Sequence, residues 1–289
     1  LLSNSAIRIK ELKQIKKNKQ LLEAKNNELQ NQKLIIEDKN QNITESIDYA
    51  KSVQRAILQF RVSERLKENF FTFYRPKAIV SGDFFWYSGL EGKDIIAAVD
   101  CTGHGVAGAF MTVIGSSCLD QIVNTDQIVS PAAILDNLGK SVSHALKQSL
   151  NGRSDHGMDV ALCLIDYDKH EIRFAGANRS LYFFQNEEFK EIKGTRRSVG
   201  NMEIEYDDFT EHIIPFSPGD SFYLATDGYA DQFGGSRNKK FMTVKFKKLL
   251  ASIQHVSLKE QKSRLRESFE EWQGYNEQTD DVLVIGFRT

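Results

Sequence analysis

The chain has 289 residues, of which 40% are hydrophobic and 27% charged, enough apolar content for the core of one large domain or two smaller ones. With 38 Lys and Arg against 39 Asp and Glu the net charge is −1, so no global field draws the chain to nucleic acid or to an anionic bilayer. Cys101, Cys118 and Cys163 are odd in number and lack metal-type spacing, which argues against a disulfide framework and for a reducing, cytoplasmic setting.

The first 60 residues are rich in Lys, Gln, Asn and Glu and contain neither Gly nor Pro. Ile15, Leu22, Leu29, Ile36, Ile43, Ala50 and Ile57 recur at every seventh position. A strict heptad repeat is the mark of a helix supercoiling around a partner. The companion seam is polar, with Lys19, Asn26, Lys33 and Asn40 between Leu12 and Ile47. One apolar stripe predicts a short parallel dimer of adjustable register; the alternative is a solvated helix acting as a spacer. Residues 1–60 are therefore expected to form a helical linker and residues 61–289 a globular domain. The chain begins at Leu1 rather than Met and shows no signal peptide. It is expected to be part of a longer protein, with any sensor or anchor upstream.

Phe70–Tyr74 reads as a strand stopped by Pro76. Phe84–Leu90 and Asp94–Val99 follow, joined by the turn Glu91-Gly92-Lys93. The uncharged run from Cys101 to Leu119 is too short and too rich in Gly, Ser and Thr to span a bilayer. Gly105–Val123 is instead expected to be a helix packed on a sheet. Ala132–Leu150 is a second helix, capped by Ser130 before Pro131. Met158–Tyr167, Glu171–Ala175 and Leu181–Gln185 read as a β-meander. Strands at Glu211–Pro215 and Ser221–Thr226, helices at Lys240–Ile253 and Leu258–Trp272, and a last strand at Val282–Phe287 complete the chain. Strands come in groups and helices in pairs, which predicts an α+β fold of packed antiparallel sheets with outer helices.

The acidic residues fall at the ends of these strands. Asp83 opens one, Asp100 and Asp227 each close one, and Asp280-Asp281 precede the last. A single acid at a strand end is usually a solvated cap. Four brought together would repel strongly, and divalent cations are the usual remedy. Oxygen donors without a nearby His or Cys set select Mg²⁺ or Mn²⁺ over zinc. The Gly-rich run Thr102–Gly108 has the composition of a loop entering a helix whose free N–H groups attract anions. It lacks the Lys-Ser/Thr of a P-loop. His104, between two glycines, reads equally as an acid, a phosphate contact or an ordinary turn residue.

Ser81-Gly82-Asp83-Phe84-Phe85, Val99-Asp100-Cys101-Thr102-Gly103-His104-Gly105, Phe174-Ala175-Gly176-Ala177-Asn178, Ala225-Thr226-Asp227-Gly228 and Thr279-Asp280-Asp281 stand in the order seen in metal-dependent (PPM-type) serine/threonine protein phosphatases. From about Phe70 to Arg288 the chain resembles their bacterial SpoIIE-like branch, which includes stress-response phosphatases acting on anti-anti-sigma factors. The resemblance implies an α-β-β-α sandwich with two Mn²⁺ or Mg²⁺ ions at one end of the sheets. Asp100 would bridge both ions. Asp227 and Asp280 would hold one, Asp83 and the backbone carbonyl of Cys101 the other, with Asp281 ranked behind Asp280. The implied reaction is hydrolysis of phosphoserine or phosphothreonine on a partner protein by a hydroxide that the two metals activate, with Asp100 and Asp227 catalytic through the metals. The implied substrate is a phosphoprotein of the anti-anti-sigma (STAS) kind, and the N-terminal helix implies a homodimer that transmits an upstream signal.

Three positions depart from the pattern. Cys101 replaces a glycine common in relatives. Thr102 stands where eukaryotic relatives carry a proposed proton-donating histidine, leaving the general acid unassigned between His104 and a metal-bound water. No counterpart of the phosphate-binding arginine of those relatives is evident. Asn178 is expected to shape the site or simply the turn. Two other readings stand beside the phosphatase: a catalytically silent scaffold with the same fold, and a coiled-coil adaptor whose globular half only docks a partner.

Overall fold

The computed structural model describes residues 2–58, 62–103, 105–147, 157–200 and 208–289. It divides into two units, Leu1–Tyr49 and Ala50–Thr289. The first unit is helix alone, part of a continuous 56-residue helix α1 (Leu2–Ile57) that has neither Gly nor Pro to break it. Ile15, Leu22, Leu29, Ile36 and Ile43 are each 57–63% exposed on this single chain. The intrachain fold does not bury the heptad stripe.

The second unit is built on two five-stranded antiparallel sheets. One holds β2 (Asp83–Leu90), β3 (Lys93–Cys101), β4 (Met158–Asp166), β5 (Glu171–Ala177) and β8 (His212–Pro215), in that spatial order. The other runs β1 (Phe70–Arg75), β12 (Val282–Arg288), β9 (Ser221–Ala225), β6 (Leu181–Gln185) and β7 (Glu188–Ile192). Strand alternation sends residues to two faces, and here both faces are covered. Ile96, Ala98, Ala161, Cys163, Phe222, Leu224, Leu283 and Ile285 fill the space between the sheets. Ile95, Ala97, Val99, Val160 and Leu162 point the other way, against helices α3 (Gly105–Asp120) and α4 (Pro131–Lys147). Phe71, Phe73, Tyr223 and Val284 meet α6 (Thr243–Ile253) and α7 (Leu258–Gln273) on the far side. The result is a four-layer α-β-β-α sandwich. Burial on both faces explains why the central strands read as continuous apolar runs.

Several elements differ from the sequence reading. Leu181–Gln185 does not extend the meander of β4 and β5. It crosses to the other sheet and pairs with β9 and β7. Leu181, Tyr182, Phe183 and Phe184 are all buried, which suits an interior strand packed on both faces. The crossing is made at Asn178, which adopts φ 55°, and Arg179, whose N–H donates to the Ala177 carbonyl (2.7 Å). The helix from Gly105 gives way to a π-helical stretch at Gln121–Thr125. By length and composition Gly105–Thr125 would be apolar enough to cross a membrane, yet Met111, Leu119, Ile122 and Val123 pack into the core. The helix expected from Lys240 starts at Thr243, because Lys239–Lys240 (β11) pairs with Phe233–Gly234 (β10) in a small ribbon. The expected end of the second helix, beyond Lys147, lies outside the described residues. The short edge strand β7 and the single turns α2 (Glu64–Lys67) and α5 (Gly228–Asp231) had no clear sequence signal.

The last turns of helix α1, from Ala50 to Ile57, belong to the second unit. Gln54 is buried there and donates from Nε2 to the Ser81 carbonyl (2.7 Å) and to Thr112 Oγ1 (2.9 Å). Its Oε1 accepts from the Ser81 N–H (3.3 Å). Within this unit, one side chain thus joins the 50–57 turns to α3 and to the loop that delivers Asp83.

Candidate active site

Strand register places the acids. Asp83, the first residue of β2, pairs with Asp100 near the end of β3, and Asp100 pairs with Asp159 in β4. Three carboxylates therefore stand side by side along one end of the first sheet. In the second sheet β9 and β12 end alongside each other, which brings Asp227 next to Asp280 and Asp281. Gly228 makes that approach feasible, since a Cβ there would stand 1.8 Å from the Asp281 carbonyl oxygen. Hydrogen bonds lock the two sheet ends together. Thr226 Oγ1 donates to Asp83 Oδ2 (2.6 Å) and accepts from the Leu283 N–H (3.0 Å). Asp281 accepts from the Lys77 N–H through Oδ1 and from the Gly82 N–H through Oδ2, both at 2.7 Å.

These residues line one cavity of about 270 Å³, with Asp83, Asp100, Cys101, Thr102, Asp159, Arg179, Ser198, Asp227, Asp280 and Asp281 in its wall. All the aspartates singled out in the sequence are present. Asp281 is buried and has an oxygen committed to each of two loop N–H groups, so it acts as a clamp on the 77–82 loop. The Asp280 carboxylate accepts from the neighbouring Asp281 N–H through Oδ1 (2.8 Å). Cys101 is the last residue of β3, and its φ is not in the left-handed region, so the replacement of glycine brings no backbone strain. Thr102 is held by the Gly157 carbonyl, to which its N–H and its hydroxyl both donate at 2.9 Å. His104 lies outside the described residues.

Asp159, Arg179 and Ser198 belong to the site but were not singled out in the sequence. Asp159 sits in an apolar strand, and only the register of β3 against β4 reveals it. Its Oδ1 accepts from Ser198 Oγ (2.6 Å) and from Asn178 Nδ2 (2.9 Å). Asn178 therefore both turns the chain and fixes an acid. Arg179, the next residue, extends a guanidinium whose Nη2 lies 2.6 Å from Asp100 Oδ2, 2.7 Å from Asp227 Oδ2 and 3.2 Å from Asp159 Oδ2.

The crowding of carboxylates in this cavity shifts the proton affinities of Asp83, Asp100 and Asp280. Burial, reinforced by the facing charge of Asp100, pushes the Asp83 carboxyl well above the ordinary aspartate value, against the Thr226 hydrogen bond. Burial likewise raises Asp100 to about 7; Arg179 pulls it down while Asp227, Asp159 and Asp280 push it up. Asp280 is raised as well, first by burial and despite the Asp281 N–H. Burial works against the charge of Arg179, but Asp100, Asp227 and Asp159 outweigh it and hold the guanidinium pKa above its usual value. Such a cavity favours bound protons or cations. Its carboxylates offer oxygen donors, which suit a hard divalent ion such as Mg²⁺ or Mn²⁺. Among the described residues no three His, Cys, Asp or Glu side chains are arranged to hold an ion as they stand. Arg179 occupies the middle of the Asp100, Asp159 and Asp227 group.

Comparison with known proteins agrees with this architecture. Residues 91–289 match the family model described as stage II sporulation protein E (SpoIIE). The SiaA PP2C domain of Pseudomonas aeruginosa is 35% identical, with a TM-score of 0.78 over 86% of this chain and 97% of that one. The PP2C phosphatase domain of SpoIIE from Bacillus subtilis, solved with a fragment of its regulatory domain, shares the fold at 16% identity, with a TM-score of 0.64 over 76% of this chain and 63% of that one. The catalytic domain of the serine/threonine protein phosphatase PstP, solved with two manganese ions, does so at 15% identity and a TM-score of 0.54, covering 76% and 96%. No curated protein matches the chain. The fold, the cavity and the matched residues together place this chain in the SpoIIE family, as a PP2C-type protein serine/threonine phosphatase domain preceded by a long helix.

Proposed function

We infer that this protein hydrolyses phosphoserine or phosphothreonine on a partner protein, using two divalent cations held by Asp83, Asp100, the Cys101 carbonyl, Asp227 and Asp280. The observation that carries the reading is the convergence of these aspartates in one cavity, two of them buried into strongly raised proton affinity. The cations supply a Lewis acid for the phosphoryl oxygens and a means of activating water at neutral pH. Supporting their nature, the PstP relative of the same fold was solved with two manganese ions. The protein contributes rigid placement. Thr226 orients Asp83, Asn178 and Ser198 orient Asp159, and Asp281 clamps the loop beneath. The Cys101 thiol is an unsuitable nucleophile: burial first, then the Asp100 charge, pushes its pKa well up and keeps it protonated. Direct attack by water at phosphorus fits the site better than a phosphorylated enzyme.

The decisive assay is phosphate release from phosphoserine and phosphothreonine proteins with Mn²⁺ or with a chelator. Chelator-sensitive release that is lost in Asp100→Asn and Asp227→Asn supports the reading. A chain that binds a phosphoprotein without turnover would instead be a scaffold, the reading favoured by the guanidinium already seated among the acids.

The partner consistent with the family resemblance is a phosphorylated anti-anti-sigma-like (STAS) domain. The exposed heptad stripe supports a parallel homodimer through α1. The Gln54 bonds to Ser81 and Thr112 give such a helix a route to the Asp83 loop.

A further inference from the structure

Arg179 is bonded unlike an ordinary ion pair. A guanidinium usually meets carboxylates with its two-pronged edge. Here one nitrogen, Nη2, gathers Asp100 Oδ2, Asp227 Oδ2 and Asp159 Oδ2 within 3.2 Å, although it has only two protons to give. Its Nε is buried and has no hydrogen-bond partner among the described residues. The side chain is thus used as a point charge at the junction of three acids, and part of its bonding capacity goes unused there. The two shortest contacts are to acids from opposite sheets, Asp100 of the β3 end and Asp227 after β9. A cation ligated by Asp100 and Asp227 through these Oδ2 atoms would take them from Arg179. Two positive centres sharing them would repel at contact distance. Asp159 differs from the other two: its Oδ1 is fixed by Ser198 and Asn178, while Oδ2 is left facing Arg179.

We propose that Arg179 is the resident counter-ion of this carboxylate cluster, displaced from Asp100 and Asp227 when divalent cations bind and retained on Asp159. This rests on the reading of Asp100 and Asp227 as cation ligands. Arg179 is then a positioning residue that sets how tightly the site takes its ions. It holds the acids in place before the ions arrive, and its competition lowers the apparent ion affinity by the fraction of time it occupies the node. Sequence gives no hint of this, because Arg179 lies in the crossover between β5 and β6, far from every acid it touches.

The test is direct Mn²⁺ binding to the full chain, followed by the electron paramagnetic resonance signal of free Mn²⁺, together with thermal melts of the chelated protein. Arg179→Gln should tighten Mn²⁺ binding by about tenfold or more, lower the melting temperature of the chelated protein, and enlarge the Mn²⁺-induced rise in melting temperature. If the wild type binds Mn²⁺ and Arg179→Gln binds it no more tightly, the counter-ion role is overturned while the ion site stands. If neither protein binds Mn²⁺, both are overturned. Should Arg179→Gln fail to fold, a wild-type crystal soaked in Mn²⁺ decides. Nη2 withdrawn from Asp100 and Asp227 but still on Asp159 supports the displacement. Nη2 still bonded to all three, with an ion seated on Asp100 and Asp227, refutes it.

Discussion

Asp83 and Asp100 face each other across a strand pair, and burial raises both. A carboxyl whose folded pKa exceeds its unfolded value holds an extra proton in the native state over the window between the two. Its favourable contribution is complete below the unfolded pKa and is lost as pH rises through the folded one. For Asp100 that window runs from 3.8 to about 7. Chelated protein should therefore be more stable in urea at pH 5 than at pH 8, by roughly 2–4 kcal/mol for a shift of this size. Asp100→Asn should flatten the profile, and a stability that climbs across the window would contradict the electrostatics. The same substitution, and Asp227→Asn, should abolish metal-dependent phosphate release while leaving the circular dichroism spectrum unchanged, because removing a repelling charge relieves the cluster. At this scale the motif aspartates were legible, since each interrupts an apolar run at a strand end. Asp159 and Arg179 were not. One is a polar residue inside a strand, the other a crossover residue, and neither carries a local signal.

At the scale of the elements, the site exists because two sheets end at the same place. Their alignment rests on a few polar bonds, Thr226 to Asp83 and Asp281 to the 77–82 loop, and on the close approach allowed by Gly228. Gly228→Ala would drive a methyl into the Asp281 carbonyl, and should destabilise the protein by about 2–3 kcal/mol in urea unfolding. Gln54→Ala leaves the buried Ser81 N–H without its partner and should cost about 1–3 kcal/mol, with weaker Mn²⁺ binding because the Asp83 loop loosens. Unchanged Mn²⁺ affinity in that variant would remove Gln54 as a link between helix and site. Most strands and helices were readable from apolar runs bounded by turn residues, and α1 from its heptads, because buried faces dictate residue type. The destination of β6 was not. A strand apolar on both faces fits the interior of either sheet, and only long-range pairing chooses between them.

At the scale of the whole molecule, the heptad stripe carries an expectation separate from that of the enzyme domain. The stripe at Leu22, Leu29 and Ile36 lies exposed on one chain, and its polar companion positions predict a weak association. Leu29→Asp should convert a concentration-dependent dimer to monomer in analytical ultracentrifugation; a chain monomeric before the substitution would rule the dimer out. The fold gathers Asp83, Asp100, Asp227 and Asp280 in one cavity, where we propose that they hold divalent ions that drive dephosphorylation. Equilibrium dialysis against Mn²⁺, with phosphate release measured on the same samples, tests it most directly. Wild-type protein should retain about two ions per chain and release phosphate, and Asp100→Asn should lose both together. Full turnover in Asp100→Asn, or no retained manganese in the wild type, would contradict it.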